Sequence, residues 1–195
     1  MEARAIVPVS KNGAIRDGGG RATLRLPAAP KAASKSLLRH MIKKIFAGLL
    51  VAFVAIQFVR PARNLSPAAG PNDVTAKLEV PADVQHVLAT ACYDCHSNNT
   101  RYPWYAQVQP VGWWLASHIH DGKRHLNFSE FGAYDAKNAA RKLRGVARTI
   151  NGGSMPLSSY TWIHRDAILS AAEKKLVADW AEAARAKLAP PPGGK

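Results

Sequence analysis

Both cysteines of this 195-residue chain fall inside one run of five residues, Cys92-Tyr93-Asp94-Cys95-His96. Two thiols with this C-x-x-C spacing, one helical turn apart, can each form a thioether with one vinyl group of the same porphyrin. The histidine that follows, His96, then lies where its imidazole can bind the iron as proximal ligand. The pattern therefore reads as covalent attachment of one haem c through Cys92 and Cys95. Two other chemistries use closely spaced cysteines. A redox dithiol would follow a strand in an α/β pattern, which nothing nearby resembles. A zinc site would need two further ligands; spare histidines exist, but no second C-x-x-C does. With both thiols assigned to haem no disulfide remains, so the compartment has to be read from targeting signals.

The formal net charge is +14, and more than half of it sits in residues 1–44, where ten Lys and Arg face only Glu2 and Asp17. No basic-aromatic recognition motif accompanies this charge, so no nucleic-acid partner is expected. Residues 1–44 read as a basic leader rich in Gly, Ala and Pro, disordered over at least residues 1–36. Met41-Ile-Lys-Lys resembles a fresh start, which would make residues 1–40 an upstream extension. From Ile45 to Val59 the chain is apolar except for Gln57, with Lys43 and Lys44 before it and Arg60 after it. That run spans about 22 Å against a hydrocarbon core of about 30 Å, a gap that snorkelling Lys and Arg side chains would have to close. It is expected to be an uncleaved signal anchor, a single transmembrane helix in the bacterial inner membrane with the rest of the chain facing the periplasm. A cleaved signal peptide is the alternative, although Arg60-Pro61-Ala62-Arg63 offers no clear A-x-A site.

Residues 60–80, with Pro67, Gly70 and Pro71, read as a linker. A domain over 81–188 follows, opened by Pro81 at a favourable first helical position. Val84, Val87, Leu88, Ala91, Cys92 and Cys95 share one helical face, so the first core stripe runs into the cysteines. A second helix is expected from about Val111 to Asp121, ended by Gly122. A third should cover Asp135 to Ile150, with Ala139, Leu143, Val146, Ala147 and Ile150 inward. Its opposite face carries Lys137, Arg141, Arg144 and Arg148, either a solvated row or a docking patch for an acidic redox partner. Ser170-Ala-Ala-Glu173 is a capping box that starts a last helix, striped by Leu176, Val177, Trp180, Ala184 and Leu188. Residues 189–195 read as a disordered tail. With no strand-like alternation, the expected fold is all-α: a small cytochrome c-like helical domain around one haem, preceded by the membrane anchor.

The sixth iron position has several candidates. Met155 precedes Pro156 in the Gly-rich loop after the third helix, and Met1 and Met41, the other two methionines, both precede the apolar run. A thioether ligand favours ferrous iron and suits electron transfer. His118, His120, His125 and His164 compete for the position; His86 lies before the attachment motif and is a poorer candidate. Trp104, Trp113, Trp114, Tyr160, Trp162 and Trp180 would wall a haem crevice or simply pack a core.

The order C-Y-D-C-H-S-N-N-T-R-Y-P-W-Y, P-V-G-W-W-L-x-x-H-I-x-x-G-K, M-P, Y-x-x-x-H and L-S-x-x-E-K-x-x-L-x-x-W closely resembles the bacterial haem-binding domain family of c-type cytochromes, over roughly residues 80–185. The resemblance implies an exported monohaem domain, often tethered to the membrane. It implies haem on Cys92 and Cys95, His96 as proximal ligand and Met155 as distal ligand. Matching positions such as Asn98, Tyr102, Trp113, Trp114, His118 and Gly122 imply a shaped environment. No enzymatic activity comes with it. The expected function is one-electron transfer with a redox partner protein; a haem peroxidase-like enzyme and a haem-based redox or gas sensor are the alternatives.

Overall fold

In the computed structural model, residues 31–66 and 70–188 are described. They form eight α-helices joined by turns and short 3-10 segments, with no strand among the described residues. The expected disorder of the leader before Lys31 and of the tail 189–195 lies outside the described residues. The chain divides into two compact units, one ending at Leu50 and one beginning at Val51.

Helix α1 (Lys31–Ile56) corrects the anchor expected over 45–59. It begins well inside the basic leader and stops at Ile56, where Gln57 turns the chain. The Gln57 amide donates to Phe53 O (2.9 Å) and Gln109 O (3.1 Å), and its side-chain oxygen accepts from Gln109 N (2.9 Å). The apolar part of α1, from Ile45 to Ile56, rises only about 18 Å against the roughly 30 Å of a bilayer core. No helix among the described residues is long and apolar enough to cross a membrane.

The second unit is built on three helices. In α3 (Ala82–Ala91), Val84, Val87, Leu88 and Ala91 are buried, as the spacing requires. In α6 (Ala136–Asn151) the five inward positions are the five read from the sequence. They pack along α8 (Ala171–Leu188), which contributes Val177, Ala178, Trp180, Ala181 and Ala184 to the same core and also receives α3. The helix starts are specified locally. Asp135 caps α6 by accepting from Asn138 N at 2.8 Å. At the start of α8, Ser170 N donates to Glu173 (2.8 Å) while Glu173 N donates to Ser170 Oγ (3.2 Å). Each such cap contributes about 1 kcal/mol.

Of residues 60–80, expected as a linker, those from Gly70 onward instead belong to the domain. Helix α2 (Val74–Lys77) is capped by Asp73, and Val74 is fully buried in the core. The Trp180 indole donates to Glu79 O (3.1 Å), and Gly132 N donates to Asn72 O (2.8 Å). A four-residue helix has no period to read, which is why this segment looked structureless. Helix α5 (Val111–His125) also departs from expectation by running straight through Gly122.

Candidate functional site

The C-x-x-C-H residues do not continue α3. Cys92 leaves helical geometry (φ −124°, ψ −42°), and α4 (Tyr93–His96) is a separate single turn. Cys95 N and His96 N both donate to Cys92 O, at 3.2 and 2.9 Å, so one carbonyl gathers the motif. Cys92 packs against the hydrophobic core, while α4 lies against α5. Gly122 is the reason α5 can approach: a β-carbon there would stand 2.5 Å from Cys95 O and 3.1 Å from Cys95 Cβ. The glycine read as a helix terminator is a contact surface for the motif.

Both cysteines are free thiols. Burial pushes Cys92 up to about 12, with the neighbouring Cys95 adding to the rise, and pushes Cys95 up to about 11. These are neutral thiols at physiological pH, unlike the acidic nucleophile of a dithiol oxidoreductase. His96 is set up differently. Its Nδ1 lies 3.0 Å from Leu126 O. A carbonyl only accepts, so the proton is on Nδ1 and the Nε2 lone pair is left for a metal. Burial, its largest influence, holds the imidazole below its ordinary pKa and so keeps it neutral. Two reduced thiols beside an oriented, neutral imidazole fit a covalently held haem. Among the described residues no three His, Cys, Asp or Glu gather into a metal-binding group.

One residue of the motif carries a role that sequence reasoning missed. Asp94 is buried at 7 % exposure. It accepts from Arg101 N (3.0 Å), Nε (3.1 Å) and Nη2 (3.1 Å), and from the Tyr160 hydroxyl (2.6 Å). Tyr160 belongs to α7 (Ser158–Thr161), the turn that follows the Met155 loop. Burial and the Asp94 bond raise its pKa, so it stays a donor. Nothing local announces the Tyr160 contact, because Tyr160 lies 66 residues beyond Asp94. Met155 itself is half-buried and donates its N–H to Thr149 O (3.3 Å).

The competing histidines separate on geometry. His164 uses both ring nitrogens, Nδ1 with Tyr160 O (3.2 Å) and Nε2 with the Tyr105 hydroxyl (3.3 Å). His120 is exposed beside Asp121, and His125 is exposed. His118 donates Nδ1 to Trp114 O (2.9 Å), which leaves its Nε2 as a lone pair. Of the aromatic residues, Trp180 is core, Trp113 donates its indole to Val59 O (2.7 Å), and Trp104 and Trp162 are largely exposed. A cleft of about 470 Å³ opens elsewhere, between Arg63, Tyr102, Ile119, Lys123, Arg124 and Asn127; Cys92, Cys95, His96 and Met155 do not line it.

Next to Cys92, the Tyr93 hydroxyl is buried with no hydrogen-bond partner among the described residues, while its ring packs on Phe128 (centroids 5.5 Å). A buried unpaired donor costs free energy. Tyr93→Phe should therefore stabilise the domain by roughly 1 kcal/mol in denaturant unfolding. A loss of stability instead would show that the hydroxyl does have a partner.

A model of the haem-binding domain family matches residues 51–183, well over half of the chain. No curated protein and no solved structure matches it. The matched segment starts at the residue where the second compact unit starts.

Proposed function

The chain belongs to the haem-binding domain family, and from that premise we propose that it is a monohaem c-type cytochrome-like electron carrier. In this reading Cys92 and Cys95 hold one haem covalently, His96 is the proximal ligand and Met155 the distal one. The observation that carries it is the His96 Nδ1 bond to Leu126 O directly beside two free thiols. Haem, when bound, supplies a one-electron couple whose potential depends on axial ligands and burial. The chain's own residues would then have three tasks: hold the macrocycle, keep the imidazole neutral and oriented, and offer the Met155 thioether as a second donor.

The exposed row Lys137, Arg141, Arg144 and Arg148 on α6 supports docking of an acidic redox partner. Weakening of electron transfer by salt would check that role. The order of a basic leader before the apolar residues of α1 supports export to the bacterial periplasm. Protease access in spheroplasts checks that location. His118, whose Nδ1 bond to Trp114 O leaves Nε2 as a lone pair, is the observation that favours the second reading, an open-site peroxidase or sensor.

The deciding measurement is the spectrum of the holoprotein with and without Met155. Met155→Ala should leave haem attached, lower the reduction potential and speed binding of cyanide or carbon monoxide, because a weakly donating sulfur stabilises ferrous iron. An unchanged spectrum and potential would remove Met155 from the iron and make His118→Ala the next test.

A further inference from the structure

The loop that carries Met155 has little stiffness of its own. Gly152 and Gly153 lead into it, and Gly153 has a left-handed φ of 69°, a conformation that favours glycine. It is held at two ends. At one end, Thr149 O on α6 accepts from Ser154 N (3.0 Å), Ser154 Oγ (3.2 Å) and Met155 N (3.3 Å). At the other end, α7 follows at once, and its Tyr160 hydroxyl reaches Asp94 at 2.6 Å. Asp94 lies between the two cysteines, in the turn that also carries His96. One end of the loop is therefore tied to the attachment motif itself.

The tie is rigid on both sides. Arg101 presents its backbone N–H, Nε and Nη2 to the Asp94 carboxylate and so fixes its orientation. The Tyr160 ring stacks on His164, centroids 4.2 Å apart and 19° from parallel, and His164 is held in turn by Tyr105. A short hydroxyl–carboxylate bond, here partly buried, is among the stronger hydrogen bonds a protein makes.

We propose that Asp94 is the positioning residue for the distal ligand: through Tyr160, its carboxylate sets where the Met155 loop stands relative to the turn bearing Cys92, Cys95 and His96. The inference rests on Met155 being the distal ligand. The physical need is clear, since a thioether is a weak donor and an unsupported glycine loop would spend much of its time away from the metal.

The test uses the holoprotein. Tyr160→Phe removes only the hydroxyl and keeps the ring against His164. With haem still attached, the red charge-transfer band of ferric methionine ligation should weaken. Carbon monoxide should bind the ferrous form about tenfold faster, the equivalent of one hydrogen bond to a charged group. Asp94→Asn should shift both readouts in the same direction. Trp180→Phe, which loses the indole bond to Glu79 O away from this loop, should lower stability but leave band and rate alone. If Tyr160→Phe matches wild type while Met155→Ala abolishes the band, the positioning role is wrong and the distal assignment stands. A band that survives Met155→Ala removes the distal assignment, and the inference with it. Equal weakening by Trp180→Phe would also overturn the proposal, because Tyr160 would then act only through general stability.

Discussion

Replacing Cys92 and Cys95 together by alanine is expected to abolish covalent haem attachment. Haem of the wild-type chain should survive acid-acetone extraction and stay with the polypeptide through denaturing electrophoresis; the double variant should show none. The effect is all-or-none because these are the only cysteines in the chain, and a thioether has no substitute once the sulfur is gone. Each single variant should keep one thioether. His96→Ala should behave differently, retaining attached haem but losing the proximal bond. Haem that extracts freely from the wild type would overturn the c-type reading and leave only the broader haem-binding assignment.

The second large effect is expected at Gly122. In a helix interior alanine is better than glycine by about 1 kcal/mol, so Gly122→Ala would help if nothing stood nearby. A β-carbon there meets Cys95 O at 2.5 Å, and the obstacle is backbone rather than a flexible side chain. Forced overpacking costs about 1–3 kcal/mol, and here α5 or the attachment turn must also move. The clash wins, and a net loss of roughly 2 kcal/mol in denaturant unfolding should accompany poorer haem incorporation. Gly145 on α6 is the matched control. Nothing lies within 4 Å of its β-carbon position, so Gly145→Ala should gain up to about 1 kcal/mol. A Gly122→Ala variant as stable as Gly145→Ala would show that α5 does not bear on Cys95 as closely as described.

Much of the helical frame was legible from spacing. The buried faces of α3 and α6 and the capping box of α8 are patterns whose physical cause lies within a few residues of chain. A helix brings positions three and four apart onto one side, and a cap satisfies amides one turn away. The spacing of Cys92, Cys95 and His96 is legible for the same reason, since it lies within about one helical turn. Where the reading went astray, the cause lay elsewhere in the chain. Gln57 ends α1 through Gln109, and Val74 is buried by a core assembled from distant helices. Gly122 resembled a terminator because its partner, Cys95, is on another helix.

What residue order settles, then, is arrangement within about one helical turn: Cys92 and Cys95 three residues apart, His96 behind them, and the apolar faces. Only tertiary packing could supply the Leu126 carbonyl that orients His96, and the Tyr160 hydroxyl that reaches Asp94 from 66 residues further along. Hydrogen bonds depend on tenths of an ångström and on direction. Such precision between remote residues exists only once the core has fixed the helices against one another.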